Sequence, residues 1–220
     1  MLTPLPFDSE LFSYPVGKCI VQNPWDEKGF LQQAGSFKLV YLFSEKELNM
    51  NSSDFLLADT KVVFEKTVES QLEDSKTITE YSGPLSQDLI ALALASGEYS
   101  RFKVDPRMSS GEFEKLYKIW ITKAWEKGEV LVFEKMEGMV TWSLENNSAQ
   151  IGLIAVRDTS RGKGIGESMV KKAEALAYEK GAMKMKIPTQ KANVPAINLY
   201  HKLGYKVSSQ TYVYHYWNPF

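Results

Sequence analysis

The stretch from Ile151 to Tyr205, IGLIAVRDTSRGKGIGESMVKKAEALAYEKGAMKMKIPTQKANVPAINLYHKLGY, constrains the fold more than any other part of this chain. Its apolar run Gly152 to Val156 is short and unbroken, as expected of a strand buried on both faces. The run ends in Arg157, Asp158, Thr159 and Ser160, a cluster with turn chemistry. After Arg161-Gly162-Lys163-Gly164-Ile165-Gly166, the residues Ile165, Met169, Ala173, Leu176 and Ala177 recur at helical spacing, and Gly181 stands where a helix would stop. Met183 to Ile187 predicts a second strand. Asn193 then offers an N-cap, Pro195 fits a first helical turn, and Ala196, Tyr200 and Leu203 share one face up to Gly204. Tyr205 to Val207 and Thr211 to Trp217 predict closing strands.

A glycine-rich turn that feeds a helix leaves amide N–H groups pointing outward, and the helix dipole favours an anion there. Arg157, Arg161 and Lys163 add positive charge in a chain whose net charge is only −1. The ligand suggested is a phosphate or pyrophosphate; the alternative is a tight strand-to-helix turn that binds nothing. A P-loop is excluded because Gly, four residues and Gly-Lys-Ser/Thr do not occur in that order. A dinucleotide fingerprint fits poorly, since Gly162, Gly164 and Gly166 alternate and the next strand ends in Pro188-Thr189-Gln190.

Arg161-x-x-Gly164-x-Gly166, followed by Asn193 and by LYHKLGY, resembles the GNAT superfamily of acyl-CoA-dependent N-acyltransferases over residues 130 to 217. That resemblance implies an α/β (α+β) fold: a central mixed, mostly antiparallel sheet flanked by helices, with a smaller N-terminal α/β domain. It implies acetyl-CoA as co-substrate and no metal. Backbone of Ile154, Ala155 and Val156 would hold the pantetheine arm, and amides of Arg161, Gly162, Lys163, Gly164, Ile165 and Gly166 the pyrophosphate. Tyr200 would protonate the departing sulfur; the other reading of Tyr200 is a buried helix tyrosine with a satisfied hydroxyl. Asn193 is a helix cap, a ligand contact, or both. A catalytically silent CoA-binding domain is the competing class, which the retained Tyr200, Asn193 and loop glycines disfavour.

The 220 residues allow one to two domains, and 44% hydrophobic content is ample for a core. Twenty-six Lys and Arg balance 27 Asp and Glu, which argues against a nucleic-acid surface. No apolar run approaches the ~20 residues of a membrane helix, and the single cysteine, Cys19, fits a reducing cytoplasm. Phe37 to Phe43 and Phe55 to Phe64 predict strands, and Gly29 to Ala34 part of a helix. The polar run at 69–84 is the expected linker between an N-terminal unit, 1–80, and an acetyltransferase unit, 85–220. A strand edge near Thr211 to Trp217 would suit pairing of two copies into a homodimer.

SGEYSRFKVDPR (96–107) predicts a functional loop ahead of the amphipathic helix Phe113 to Trp125. Its Tyr99, Arg101 and Arg107 are the candidate substrate-binding residues, a basic solvated loop being the alternative. PFDSELFSYPVGKC, YSRFKVDPR and YVYHYW together resemble the bacterial TDP-fucosamine acetyltransferases, which N-acetylate a TDP-linked 4-amino-4,6-dideoxy sugar. An amine flanked by C–O bonds has a pKa of about 8, so a lysine amine near ~10.4 costs about 3 kcal/mol more to deprotonate. A protein N-terminus, an amino acid or a polyamine is the alternative acceptor, and a basic loop counts against the polyamine. No catalytic base stands out; His215 reads as structural on a two-sided strand, and His201 as facing away.

Overall fold

The computed structural model describes residues 2–22, 24–70 and 77–219. The first third runs β1 (Leu2–Pro4), α1 (Pro6–Phe12), β2 (Val16–Ile20), α2 (Glu27–Ala34), β3 (Leu39–Ser44) and β4 (Phe55–Thr67). Next come β5 (Ile78–Glu80), α3 (Gln87–Ser96), α4 (Arg101–Val104), α5 (Ser110–Glu126), β6 (Val130–Phe133) and β7 (Gly138–Glu145). The remainder is β8 (Ser148–Val156), α6 (Ile165–Glu179), β9 (Lys184–Gln190), α7 (Val194–Lys202) and β10 (Lys206–Trp217). Residues 71–76 of the expected linker lie outside the described residues.

The ten strands among the described residues form one sheet in the order β1-β2-β3-β10-β4-β9-β8-β7-β6-β5. Only β2–β3 and β8–β9 pair in parallel, each across an intervening helix, as parallel neighbours require. The expected mixed, mostly antiparallel sheet is therefore what the chain builds. The units drawn at 1–80 and 85–220 share it: β10 runs between β3 and β4, and β4 bonds β9 on its other side over seven residue pairs. Thr211 to Trp217 accordingly lies inside the sheet rather than at an edge, which corrects the expected pairing surface.

Alternation explains the layers. Leu39 and Tyr41 face the layer of α1, α3 and α5, while Val40 and Leu42 face α2 with Tyr214 and Tyr216. Phe64, Ile151, Met169, Tyr200 and Tyr205 fill a third cluster under α6 and α7. The two strands expected at the C-terminus are one, interrupted by a register shift between Val207 and Ser209. The stretch 96–107 is turn broken by one helical turn: Ser100 caps the short α4 by accepting from the Phe102 N–H at 3.3 Å. The Ser109 capping box then starts α5.

β4 supplies the hydrogen-bonding edge for both β9 and β10, and its Phe64 is fully buried against Tyr200. Cutting the chain at residue 85 strips that edge and core. The fragment 85–220 is expected to show no cooperative denaturant transition by circular dichroism, whereas the full chain unfolds in one.

Candidate active site

β8 and β9 touch over only three residue pairs, Ser148–Lys184 to Gln150–Lys186. Beyond them β9 stays with β4 through Gln190 and β8 with β7 through Val156, so the two strands part. A bulge on β8 sets Gly152 and Leu153 opposite the single Thr141, whose Oγ1 accepts from the Leu153 N–H at 2.8 Å. A Cβ on Gly152 would stand 2.9 Å from that oxygen, so the bulge calls for glycine. Past the bulge, the Arg157 N–H donates to the Glu137 carbonyl at 2.8 Å. Bonded and non-bonded pairs alternate along an antiparallel ladder. The N–H and C=O of Ile154 and Val156 therefore turn away from β7, into the gap. β8 is not buried on both faces as expected, because its Gly152, Ile154 and Val156 face is a cavity wall.

That gap belongs to a cavity of about 490 Å³ walled by Ile154, Ala155, Val156, the loop 160–166 apart from Lys163, the α7 cap Asn193 and the α7 residues Ala196, Leu199 and Tyr200. Gly162 and Gly164 hold left-handed backbone (φ 77° and 82°), which glycine adopts without strain. Gly164 is the N-cap of α6 and supplies no side-chain cap, leaving the first-turn amides of a 15-residue helix to face the cavity. Gly166 has ordinary room around it. Arg161 sits on the wall and pairs with exposed Asp158 at 2.7 Å. Lys163 is exposed and off the wall, and Arg157 is committed to the Met136 carbonyl and Asp88. Lys202, bonded to Glu167 at 2.6 Å, is a cation on this wall that the sequence reading did not single out.

A second cavity of about 740 Å³ lies on the other side of Tyr200. The two share Ser96, Ile154, Asn193 and Tyr200. Tyr200 is 2% exposed, and burial raises its phenol well above the usual range. Asn193 caps α7, accepting from the Ala196 N–H at 3.2 Å, while lining both cavities. The walls of the second cavity bear Asp8, Asp59, Lys61, Arg101 and Lys123 beside the aromatic Phe7, Phe43 and Trp120. Burial pushes Asp59 up to about 6, with Arg101 and Lys61 opposing it. Asp8 is likewise raised by burial, against Arg101. A bulge in β4, where Val213 faces Asp59 and Tyr214 faces Leu57, sets the local direction of that strand.

The three residues expected to bind the acceptor separate. Tyr99 lines the first cavity and Arg101 the second. Arg107 lines neither; its Nη1 donates to the Asp54 carbonyl at 3.0 Å and its Nε approaches Asp105 Oδ1 at 3.4 Å. Asp8 and Asp59 were not anticipated: Asp8 stands in PFDSELFSYPVGKC with nothing local to set it apart from Glu10, and Asp59 is a lone acid in a strand. His201 is exposed, as its helix position suggested. Among the described residues, no three His, Cys, Asp or Glu side chains are grouped to hold a metal, and no helix is long and apolar enough to cross a membrane.

Residues 95–205 match the profile of the Acetyltransferase (GNAT) family. Streptothricin acetyltransferase from Escherichia coli is 35% identical over 97 residues, covering 38% of this chain and 54% of that protein. The chain thus spans about half the length of that curated relative. A functionally unknown conserved protein from Staphylococcus epidermidis ATCC 12228 superposes with a TM-score of 0.62 at 13% identity, over 96% of this chain and 88% of that one. The PaiA N-acetyltransferase from Thermoplasma acidophilum, in complex with coenzyme A, gives 0.50 at 18% identity over 64% and 98%. At such identities the likeness is one of fold, but the profile spans half the chain and includes the parted strands, the glycine loop and Tyr200. This chain belongs to the acetyltransferase (GNAT) family.

Proposed function

We propose that this chain transfers an acetyl group from acetyl-CoA to the amine of a nucleotide-linked amino sugar of the TDP-4-amino-4,6-dideoxyhexose type. Transfer is direct, with Tyr200 as general acid and Asp59 as base. The observation that carries this reading is the meeting of two cavities at Ile154 and Tyr200. One of them opens on an uncapped helix N-terminus, the other on a desolvated carboxylate beside cations. Acetyl-CoA and a lone cysteine suit a cytoplasmic setting.

Bound acetyl-CoA supplies an activated acyl carbon and a thiolate leaving group. The backbone of Ile154 and Val156 offers strand-like hydrogen bonds to an extended arm, and the amides of 161–166 suit a pyrophosphate. A backbone donor in this gap, aimed at a developing oxyanion, is worth about 3 kcal/mol. Asp59 takes the proton of the acceptor ammonium, the freed amine forms the new N–C bond, and the C–S bond breaks. The Tyr200 phenol gives its proton to the departing sulfur; a raised phenol pKa keeps that proton in place until thiolate charge develops. Lys61, Arg101 and Lys123 suit a diphosphate, and Phe7, Phe43 and Trp120 offer faces for a base.

A second reading is a polycationic acceptor. Asp8 and Asp59 favour it, as does the similarity to an enzyme named for streptothricin. Thiol release measured across TDP- and UDP-amino sugars, polyamines and streptothricin separates the two. Turnover of a 4-amino-4,6-dideoxy sugar is expected, and turnover confined to the polycations would replace the first reading with the second.

Tyr200→Phe keeps the ring packed on Phe64 and removes only the proton donor. It is expected to lower kcat by about 10²–10⁴-fold while the unfolding midpoint and CoA affinity hold. Unchanged thiol release would remove Tyr200 from the mechanism. Asp59 acts deprotonated, so kcat/KM is expected to rise with pH through about 6 and level off above it. In Asp59→Asn that acid limb disappears along with most of the rate, which a pH–rate profile checks directly.

A further inference from the structure

YSRFKVDPR and YVYHYW lock together around one buried carboxylate. Asp105 Oδ2 accepts from His215 Nδ1 at 2.7 Å and from Trp217 Nε1 at 2.8 Å, and Oδ1 accepts from the Arg107 N–H at 3.0 Å. The side chains of Asp105 and His215 are both fully buried. The other ring nitrogen, His215 Nε2, stands 2.8 Å from Arg101 Nη1. A guanidinium only donates, so Nε2 accepts and Nδ1 carries the proton given to Asp105. Burial holds His215 down at about 4, against the pull of Asp105, so the ring stays neutral at ordinary pH. The Arg101 guanidinium lies over the Tyr41 ring, 3.8 Å from its centroid, while it lines the second cavity.

We infer that His215 is a positioning residue that fixes Arg101 as the anchor for an anionic oxygen of the acceptor, a nucleoside diphosphate on the reading proposed above. This rests on that reading for the identity of the anion. The reasoning is one of competition. Arg101 is coupled by charge to Asp8 and Asp59, and a loose guanidinium there would close onto a carboxylate. A neutral acceptor on one side and an aromatic face beneath hold it flat without cancelling its charge. One further donor is drawn to the Tyr41 hydroxyl, and the others are left for a ligand. Burying a cation beside a ligand site needs such a scaffold, and the Asp105 carboxylate supplies it by fixing the tautomer of His215.

Two substitutions of the same ring separate positioning from mere packing. In His215→Gln the amide oxygen stands where Nε2 accepts, so Arg101 keeps its partner. In His215→Asn the amide N–H still serves Asp105 but the side chain is too short for Arg101. With the full-length protein saturated in CoA to fill the first cavity, TDP binding is measured by calorimetry. His215→Asn is expected to weaken TDP by about ten- to hundredfold, and Gln to stay near wild type, with CoA affinity unchanged in both. Arg101→Gln is expected to lose as much, and adding it to His215→Asn to cost little more. Equal weakening by Asn and Gln would reduce His215 to packing and overturn the inference, as would unchanged TDP affinity in Arg101→Gln, which decides if His215→Asn does not fold. Failure of TDP to bind the wild type also overturns it. Thiol release from amino sugars judges the acceptor reading separately, so the two can fail independently.

Discussion

The parting of β8 from β9 is the constraint on which the rest of the site depends. Two parallel strands in mid-sheet would normally satisfy one another along their length. Here the ladder is three pairs long, and each strand is instead held by its outer neighbour, β9 by β4 and β8 by β7. The bulge at Gly152 and Leu153 bends β8 where the ladder ends. Backbone N–H and C=O groups are thereby left facing a cavity, a cost of the kind proteins accept only where a ligand or water takes over the bonds. The same parting lets the N-terminus of α6 reach the gap from one side and Tyr200 reach it from the other.

Keeping the gap open requires rigidity on both flanks, and this gives the first third of the chain a purpose. β4 is 13 residues long and pairs with β9 and β10 together. Lys66 on β4 bonds the buried Glu174 of α6 at 2.9 Å, tying the outer wall to the helix that carries the glycine loop. Phe64 floors Tyr200. The strand that braces the first cavity also carries Asp59 and Lys61 into the wall of the second, so on the proposed reading bracing and chemistry share one element.

What the sequence made legible follows from how local each signal is. The loop glycines, Asn193 and Tyr200 fall within 40 residues of chain, and helix caps, left-handed turns and periodicity fix their relative places without reference to anything distant. The acceptor side was legible only in fragments. Arg101 stood out because it sits in an aromatic and cationic string, but the same string put Arg107 beside it, and only the fold shows Arg107 spent on Asp54 and Asp105. Asp59 sits in a strand that reads as ordinary β4, and Asp105 reads as a turn residue before Pro106. Their meaning depends on β10 inserting between β3 and β4, a pairing between segments about 150 residues apart that no local pattern encodes. The sheet interior also hid that Thr211 to Trp217 is no edge.

On the proposed reading, the mixture of signs in the second cavity answers to the proton balance of amine acylation. An acceptor amine with a pKa of about 8 must lose a proton, and a carboxylate at its ordinary value near ~3.9 would take it only against a gap of about four units. Burial raises Asp59, and Arg101 and Lys61 beside it oppose that rise. A closed ion pair with Arg101 would lower it further. Arg101 held nearby but bonded to His215 leaves Asp59 at about 6, charged in neutral solution yet only about two units, or ~2.7 kcal/mol, below the amine. That is a small part of the barrier of about 16 kcal/mol behind a turnover of ~10 per second. The Asp105–His215–Arg101 chain shares the face of the sheet on which the second cavity opens, and on the proposed reading the place where the guanidinium is held decides whether the carboxylate facing the amine is a base, an ion-pair partner or an inert acid.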